Sequence, residues 1–153
     1  MQAALKKIPI AGIVSGIFII LFTYTAVNKL IDYPTFRIAV VQSPVLKHYA
    51  DWVIVGVPAV ELIIVALLAV PSARRAGLWA ALLVMVAFTL YIGYLVFFAG
   101  ELPCNCGGII KALSWKQHLV VNVALVALAL WAVLTTGSHK NTIAIDRISR
   151  TPV

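Results

Sequence analysis

Cysteine occurs only twice in this sequence, as Cys104 and Cys106 with Asn105 between them. A thiol pair that close has three chemistries open to it. It can form a disulfide, but only across a tight ring, and strained disulfides are the readily reduced, exchange-active ones. It can tie the loop together for shape alone, although a structural disulfide gains most by closing a long loop. It can hold a metal, for which His118 and His48 are the only nearby imidazoles, at a spacing from Cys106 that is not diagnostic. Pro103 before the pair and Gly107-Gly108 after it let the backbone turn. Redox exchange fits the pattern best, with Cys104 and Cys106 as the reacting thiols and no metal expected.

Two other residues carry chemistry within reach of that reading. His118 follows Cys106 by twelve positions, where an imidazole can favour a thiolate or move a proton. The bland alternative is a histidine at the membrane interface with no such role. Glu61 is the only charged residue well inside an apolar stretch. An intramembrane carboxylate is costly and normally faces the bundle or a cavity. It can be neutral and hydrogen-bonded, or paired with Lys29. Pro58, three residues earlier, removes a backbone donor and frees a carbonyl nearby. A proton relay or quinone contact stands against simple polar glue there.

The elements that must position these residues are membrane helices. The chain has 153 residues, 63% hydrophobic and 11% charged, where a soluble domain carries about a quarter charged. Residues 8–28, 76–100 and 117–139 contain no Asp, Glu, Lys or Arg, and residues 52–73 contain only Glu61. Each stretch reaches the roughly 20 residues needed to span the hydrocarbon core. The expected fold is all-α: a single four-transmembrane-helix bundle with helices near 9–28, 52–70, 77–98 and 118–135, and a tail over 136–153. The first stretch is longer than a signal-peptide core and no clear cleavage site follows it, so it reads as a retained helix. The formal charge of +7 is spread over all the loops, which argues for helix orientation and lipid contact and against nucleic acid.

Helices two and three are joined by the short turn 71–75, and the two long connections lie on the opposite face. The first, 29–51, is expected to form a short amphipathic helix in the interface. The second, 101–116, holds the cysteines. Seven Lys and Arg (Lys6, Lys7, Arg74, Arg75, Lys140, Arg147, Arg150) lie on the side of the termini, against five (Lys29, Arg37, Lys47, Lys111, Lys116) on the other. Cytoplasmic loops carry the excess, so both termini are expected in the cytoplasm. Cys104 and Cys106 then face the compartment where disulfides persist.

Cys104-Asn105-Cys106-Gly107-Gly108, followed by Leu113-Ser114-Trp115 and Asn122, resembles the loop signature of the MauE/DoxX-like family of redox-associated membrane proteins. Asn28-Lys29-Leu30 with Asp32, Phe36, and Pro58-x-x-Glu61-Leu62 are supporting matches, and the resemblance runs from about residue 10 to 135. Gly107 stands where the family often has an aromatic, and Val121 where an Arg commonly precedes the Asn.

The resemblance implies a four-helix bundle linked to disulfide chemistry outside the cytoplasm, with Ser114, Trp115 and Asn122 as supporting site residues. Its namesake helps mature a disulfide-rich dehydrogenase, and the DoxX side implies electron transfer linked to a membrane quinone. The expected protein is a multi-pass component of a bacterial inner membrane. It would act as a thiol–disulfide oxidoreductase or electron relay, exchanging with a periplasmic thioredoxin-like or secreted partner or within a larger membrane complex. The alternative is a non-catalytic subunit or assembly factor whose Cys-x-Cys loop is a docking element.

Overall fold

The structure, a computed structural model, describes residues 10–98 and 115–149, and side-chain surroundings within 11–98 and 116–136. Five α-helices make up these residues: α1 Ile10–Ile31, α2 Tyr33–Gln42, α3 Ala50–Ala69, α4 Arg74–Phe98 and α5 Trp115–Ser149, with a single 3-10 turn at Lys47–Tyr49. No strand occurs among them. Four segments are long and apolar enough to cross a membrane: Ala11–Ile31, Lys47–Ala69, Arg74–Phe98 and Lys116–Thr136. The fold is therefore an all-α bundle of four candidate membrane spans, and the short extra helix is α2.

Three prolines set the breaks. Pro34 has no N–H to give the Leu30 carbonyl, and its ring would crowd that carbonyl, so α1 stops at Ile31 and α2 restarts with proline at its first turn. Asp32 alone separates the two helices, and its amide still bonds Asn28 O at 2.9 Å. Ser43 precedes Pro44 and Val70 precedes Pro71; both are extended, with ψ of 130° and 116°. That is the conformation a following proline imposes, and it ends α2 and α3.

Antiparallel neighbours close the ring: α1 lies against α3, α3 against α4, α4 against α5 and α5 against α1, while α2 packs on α3 and the end of α1. Where α4 starts, Gly77 meets the last turns of α3 so closely that a Cβ there would fall 2.9 Å from both the Leu68 amide nitrogen and its Cδ2. Much of the outer surface is apolar, including Ile20, Val55, Leu83, Leu90, Phe97 and Leu134, all exposed. An apolar patch of that extent suits contact with hydrocarbon.

The largest apolar cluster fills one half of the bundle, while the other half buries polar groups alongside Ala26, Val40, Ile54, Ile92 and Leu95. The apolar core comprises Val14, Phe18 and Phe22 of α1, Ile64 and Leu68 of α3, Leu78, Ala81, Leu82 and Met85 of α4, and Ala129, Ala132 and Val133 of α5. All lie towards the end that carries the 70–73 turn. Ser15 is the one buried polar residue among them, and its hydroxyl bonds Ala11 O on its own helix at 2.6 Å. Glu61 marks the middle, and Lys29, Ser43, Tyr91, His118 and Asn122 occupy the half towards α2.

Two helices outrun their apolar stretches. α1 continues past Asn28 to Ile31, because the charge of Lys29 is neutralised inside the bundle and does not end the helix. The backbone of α5 stays helical to Ser149. Hydropathy marks where a helix leaves hydrocarbon, whereas extending an existing helix costs little until a proline intervenes.

Candidate functional site

The Lys29–Glu61 pair is the polar centre of the described residues. Lys29 sits in the last turn of α1, and its Nζ lies 2.7 Å from Glu61 Oε1. The contact sets Glu61 against Lys29, one of the two arrangements that the sequence leaves open. Thr25, one turn before Lys29 and so on the same helix face, donates its hydroxyl to the same oxygen at 3.1 Å, sharing the proton with Phe22 O at 3.2 Å. Lys29 also donates to Thr25 O at 3.4 Å. Its ammonium lies 5.8 Å from the centroid of Phe36 in α2 and 5.9 Å from that of Phe88 in α4. Cation–π attraction of this kind is worth about 2 kcal/mol when the site is desolvated.

The two charges are unequally held. The cation has a carboxylate, a carbonyl and two ring faces around it. Among the described residues, Glu61 is engaged through only one of its oxygens: it is 2% exposed, and its buried Oε2 has no hydrogen-bond partner among them. A buried acceptor left unmade costs about 1–3 kcal/mol, and more when charged. Pro58 sits one turn before Glu61 in α3 and is also buried. It has no N–H to give the Ile54 carbonyl one turn earlier.

A second polar contact ties the first long connection to the bundle. Ser43 is fully buried; its hydroxyl accepts from the Tyr91 hydroxyl at 2.9 Å and from the Leu46 amide at 3.2 Å. This holds the stretch after α2 against α4. His118 lies in the first turn of α5, and Asn122, buried one turn later, donates its side-chain amide to His118 O at 3.1 Å. Trp115 opens α5. Cys104, Cys106 and Ser114 lie outside the described residues. Among the described residues no group of three or more His, Cys, Asp or Glu comes together.

Composition and spacing did not single out Thr25, Ser43, Phe88 or the role of Tyr91. Thr25 had a readable signal, four residues before Lys29. Ser43 and Tyr91 had none, since 48 positions separate them.

In a comparison against family models, residues 7–135 match the family described as methylamine utilisation protein MauE. The chain belongs to the MauE family. That match takes in the Cys-x-Cys segment and, to within one residue, all four candidate spans, so this MauE-family chain is a multi-pass membrane protein. A search of curated proteins found no match, and a search of solved structures found none.

Proposed function

We propose that this MauE-family protein is a membrane thiol–disulfide redox protein, with Cys104 and Cys106 exchanging disulfides with a periplasmic thioredoxin-like or secreted partner. The observation that carries the reading is the placement of the sequence's only cysteines in the connection between α4 and α5. The flanking helix ends belong to the half of the bundle that holds Lys29, Tyr91, His118 and Asn122. In exchange, a thiolate of one cysteine attacks the partner's disulfide, forming a mixed disulfide and releasing one partner thiolate. The second cysteine then attacks the first, closing the Cys-x-Cys ring and releasing the partner as a dithiol. His118, in the first turn of α5, would favour the attacking thiolate. Ser114, Trp115 and Asn122 support the loop.

The Lys and Arg distribution supports cytoplasmic termini and an extracytoplasmic loop in a bacterial inner membrane. The test is to trap mixed disulfides in cells with Cys104→Ser and Cys106→Ser. One variant should accumulate a reducible covalent adduct with an extracytoplasmic protein. If neither accumulates one, the exchange reading is overturned.

A second reading has an observation of its own. The family's description names a process, methylamine utilisation, and no reaction. That favours an accessory subunit or assembly factor whose Cys-x-Cys loop docks a partner. Docking needs only the loop's shape, so Cys104→Ser/Cys106→Ser should then retain function.

A further inference from the structure

Positive charge is poorly matched at one end of the bundle. On the side of the 70–73 turn, the sequence sets Lys6, Lys7, Arg74, Arg75, Lys140, Arg147 and Arg150 against one acid, Asp146. Arg74 and Arg75 are the two of these whose surroundings the structure describes. They are the first residues of α4, in a first turn that holds no acid. Neither makes a hydrogen bond or an ion pair among the described residues, and Arg74 Nε is buried with no acceptor there. A guanidinium has five N–H donors and no acceptor, so two of them without partners leave an unmet demand for an oxyanion. The positive end of the α4 dipole only adds to a charge that the side chains already carry.

Position along α4 says where such an anion comes from. Leu78, one turn after Arg74, is fully buried in the apolar core. Trp79, one turn after Arg75, is 46% exposed, and Leu83, a further turn on, is 65% exposed. Residues four apart share a helix face, so Arg75, Trp79 and Leu83 stand in one line on the outside of the bundle. Helical side chains lean towards the N-terminus, which carries both guanidiniums away from the apolar interior. An exposed tryptophan is typical of the boundary between hydrocarbon and headgroups. The line therefore runs from charge to indole to hydrocarbon, the order of a phospholipid's own parts from phosphate through glycerol to acyl chain.

We infer that Arg74, Arg75 and Trp79 bind the headgroup of an anionic phospholipid in the leaflet on this side, with an acyl chain along Leu83. Adjacent residues point about 100° apart around a helix, so the two guanidiniums flank the phosphate and donate to its oxygens. Forked, charge-assisted bonds of that kind are strong and geometrically specific. The Trp79 indole N–H donates to the ester region, while its ring stays against hydrocarbon. A zwitterionic lipid brings its own cation to the phosphate and gains less from two arginines. A free phosphate would meet the guanidiniums and leave Trp79 and Leu83 uncovered. The site is independent of either reading of the cysteines.

The test uses the full chain in nanodiscs of phosphatidylcholine, doped with the same small share of either brominated phosphatidylglycerol or brominated phosphatidylcholine. Bromine quenches a neighbouring tryptophan, so fluorescence reports which lipid sits against the chain. The expected result is stronger quenching by the glycerol lipid, at an apparent preference of roughly fivefold for each arginine. Arg74→Gln with Arg75→Gln should remove the preference, and Trp79→Phe should remove the extra quenching by taking away the reporter. Lys140→Gln with Arg147→Gln takes the same charge from the same side and should keep both. If the glutamine pair does not fold, judged by helicity, Arg74→Lys with Arg75→Lys decides. That variant keeps the charge but loses the forks, and should weaken the preference severalfold. Equal quenching by the two lipids, a preference that survives in the glutamine pair, or full preference in the lysine pair overturns the site. So does an equal loss in the Lys140 and Arg147 variant, which would mean a diffuse field. Extra quenching kept in Trp79→Phe would put the lipid elsewhere and overturn it too. Inorganic phosphate at matched ionic strength should not compete; if it erases the preference, the anion is a free oxyanion and the lipid assignment falls.

Discussion

Lys29 places its ammonium 2.7 Å from Glu61 Oε1 across the α1–α3 contact, and the other carboxylate oxygen of Glu61 is buried without a hydrogen-bond partner among the described residues. The pair is thus both a constraint on the bundle and an incomplete hydrogen-bonding site. As a constraint, it fixes the rotation of α1 against α3, because Thr25 and Lys29 converge on one oxygen.

Breaking that pair from one side should be costly. Lys29→Met leaves a buried carboxylate with only the Thr25 hydroxyl, and a loss of about 3–5 kcal/mol is expected. Lys29→Met with Glu61→Leu should recover most of it, since the desolvation penalty leaves with the charges. A double-mutant cycle from unfolding in mixed micelles measures this, and additive losses would contradict a direct ion pair.

Gly77 is the tightest interhelical approach among the described glycines. Gly77→Ala forces a methyl to within 2.9 Å of the Leu68 amide nitrogen. Because backbone cannot rotate away as a side chain can, α4 must move off α3, at a cost of about 1–3 kcal/mol. Leu68→Ala added to it should rescue only in part. Full rescue in the same unfolding assay would show that the side chain alone sets the limit.

Tyr91→Phe removes the donor that the buried Ser43 hydroxyl accepts. About 1 kcal/mol of stability should go with it. The effect should be local: amide exchange should quicken at Leu46, whose N–H bonds that same hydroxyl, and at the neighbouring 3-10 turn. Protection unchanged there would mean that the connection is held by its apolar contacts.

Topology can be read directly. Accessibility labelling of single-cysteine variants should place residue 105 outside and residues 2, 74 and 145 inside. A cytoplasmic position for residue 105 would take the cysteines out of the oxidising compartment and remove most of the ground for disulfide exchange.

The architecture was legible because hydropathy is strong in a chain that must satisfy lipid on its outside. Charge-free runs mark the four spans, and the prolines at 34, 44 and 71 mark where helices break. The site was legible in part. Glu61 stands out as the one acid inside a span, and Lys29 is its natural counter-ion, yet sequence alone leaves it open whether the carboxyl is neutral or paired. Phe88 is one apolar residue among many in α4, and only its distance from the ammonium sets it apart. Ser43 with Tyr91 is a contact between distant segments, and neither residue has a local pattern to reveal it. The extension of α5 to Ser149 escaped for a different reason: hydropathy reports the lipid boundary, and a helix can pass it.

The most direct test of the redox reading is a potential. With the full chain in membranes or nanodiscs, the Cys104–Cys106 couple is equilibrated against thiol buffers of known poise, and free thiols are counted by mass-tagging. A ring spanning one intervening residue is strained, and part of that strain is returned on reduction, which raises the potential. Gly107 and Gly108 let the loop turn without lengthening the ring. The expected result is a single two-electron transition lying well above the roughly −300 mV below which structural disulfides of secreted proteins fall. A transition below about −300 mV, or cysteines that stay reduced at every poise, would contradict exchange and leave the docking subunit as the reading that stands.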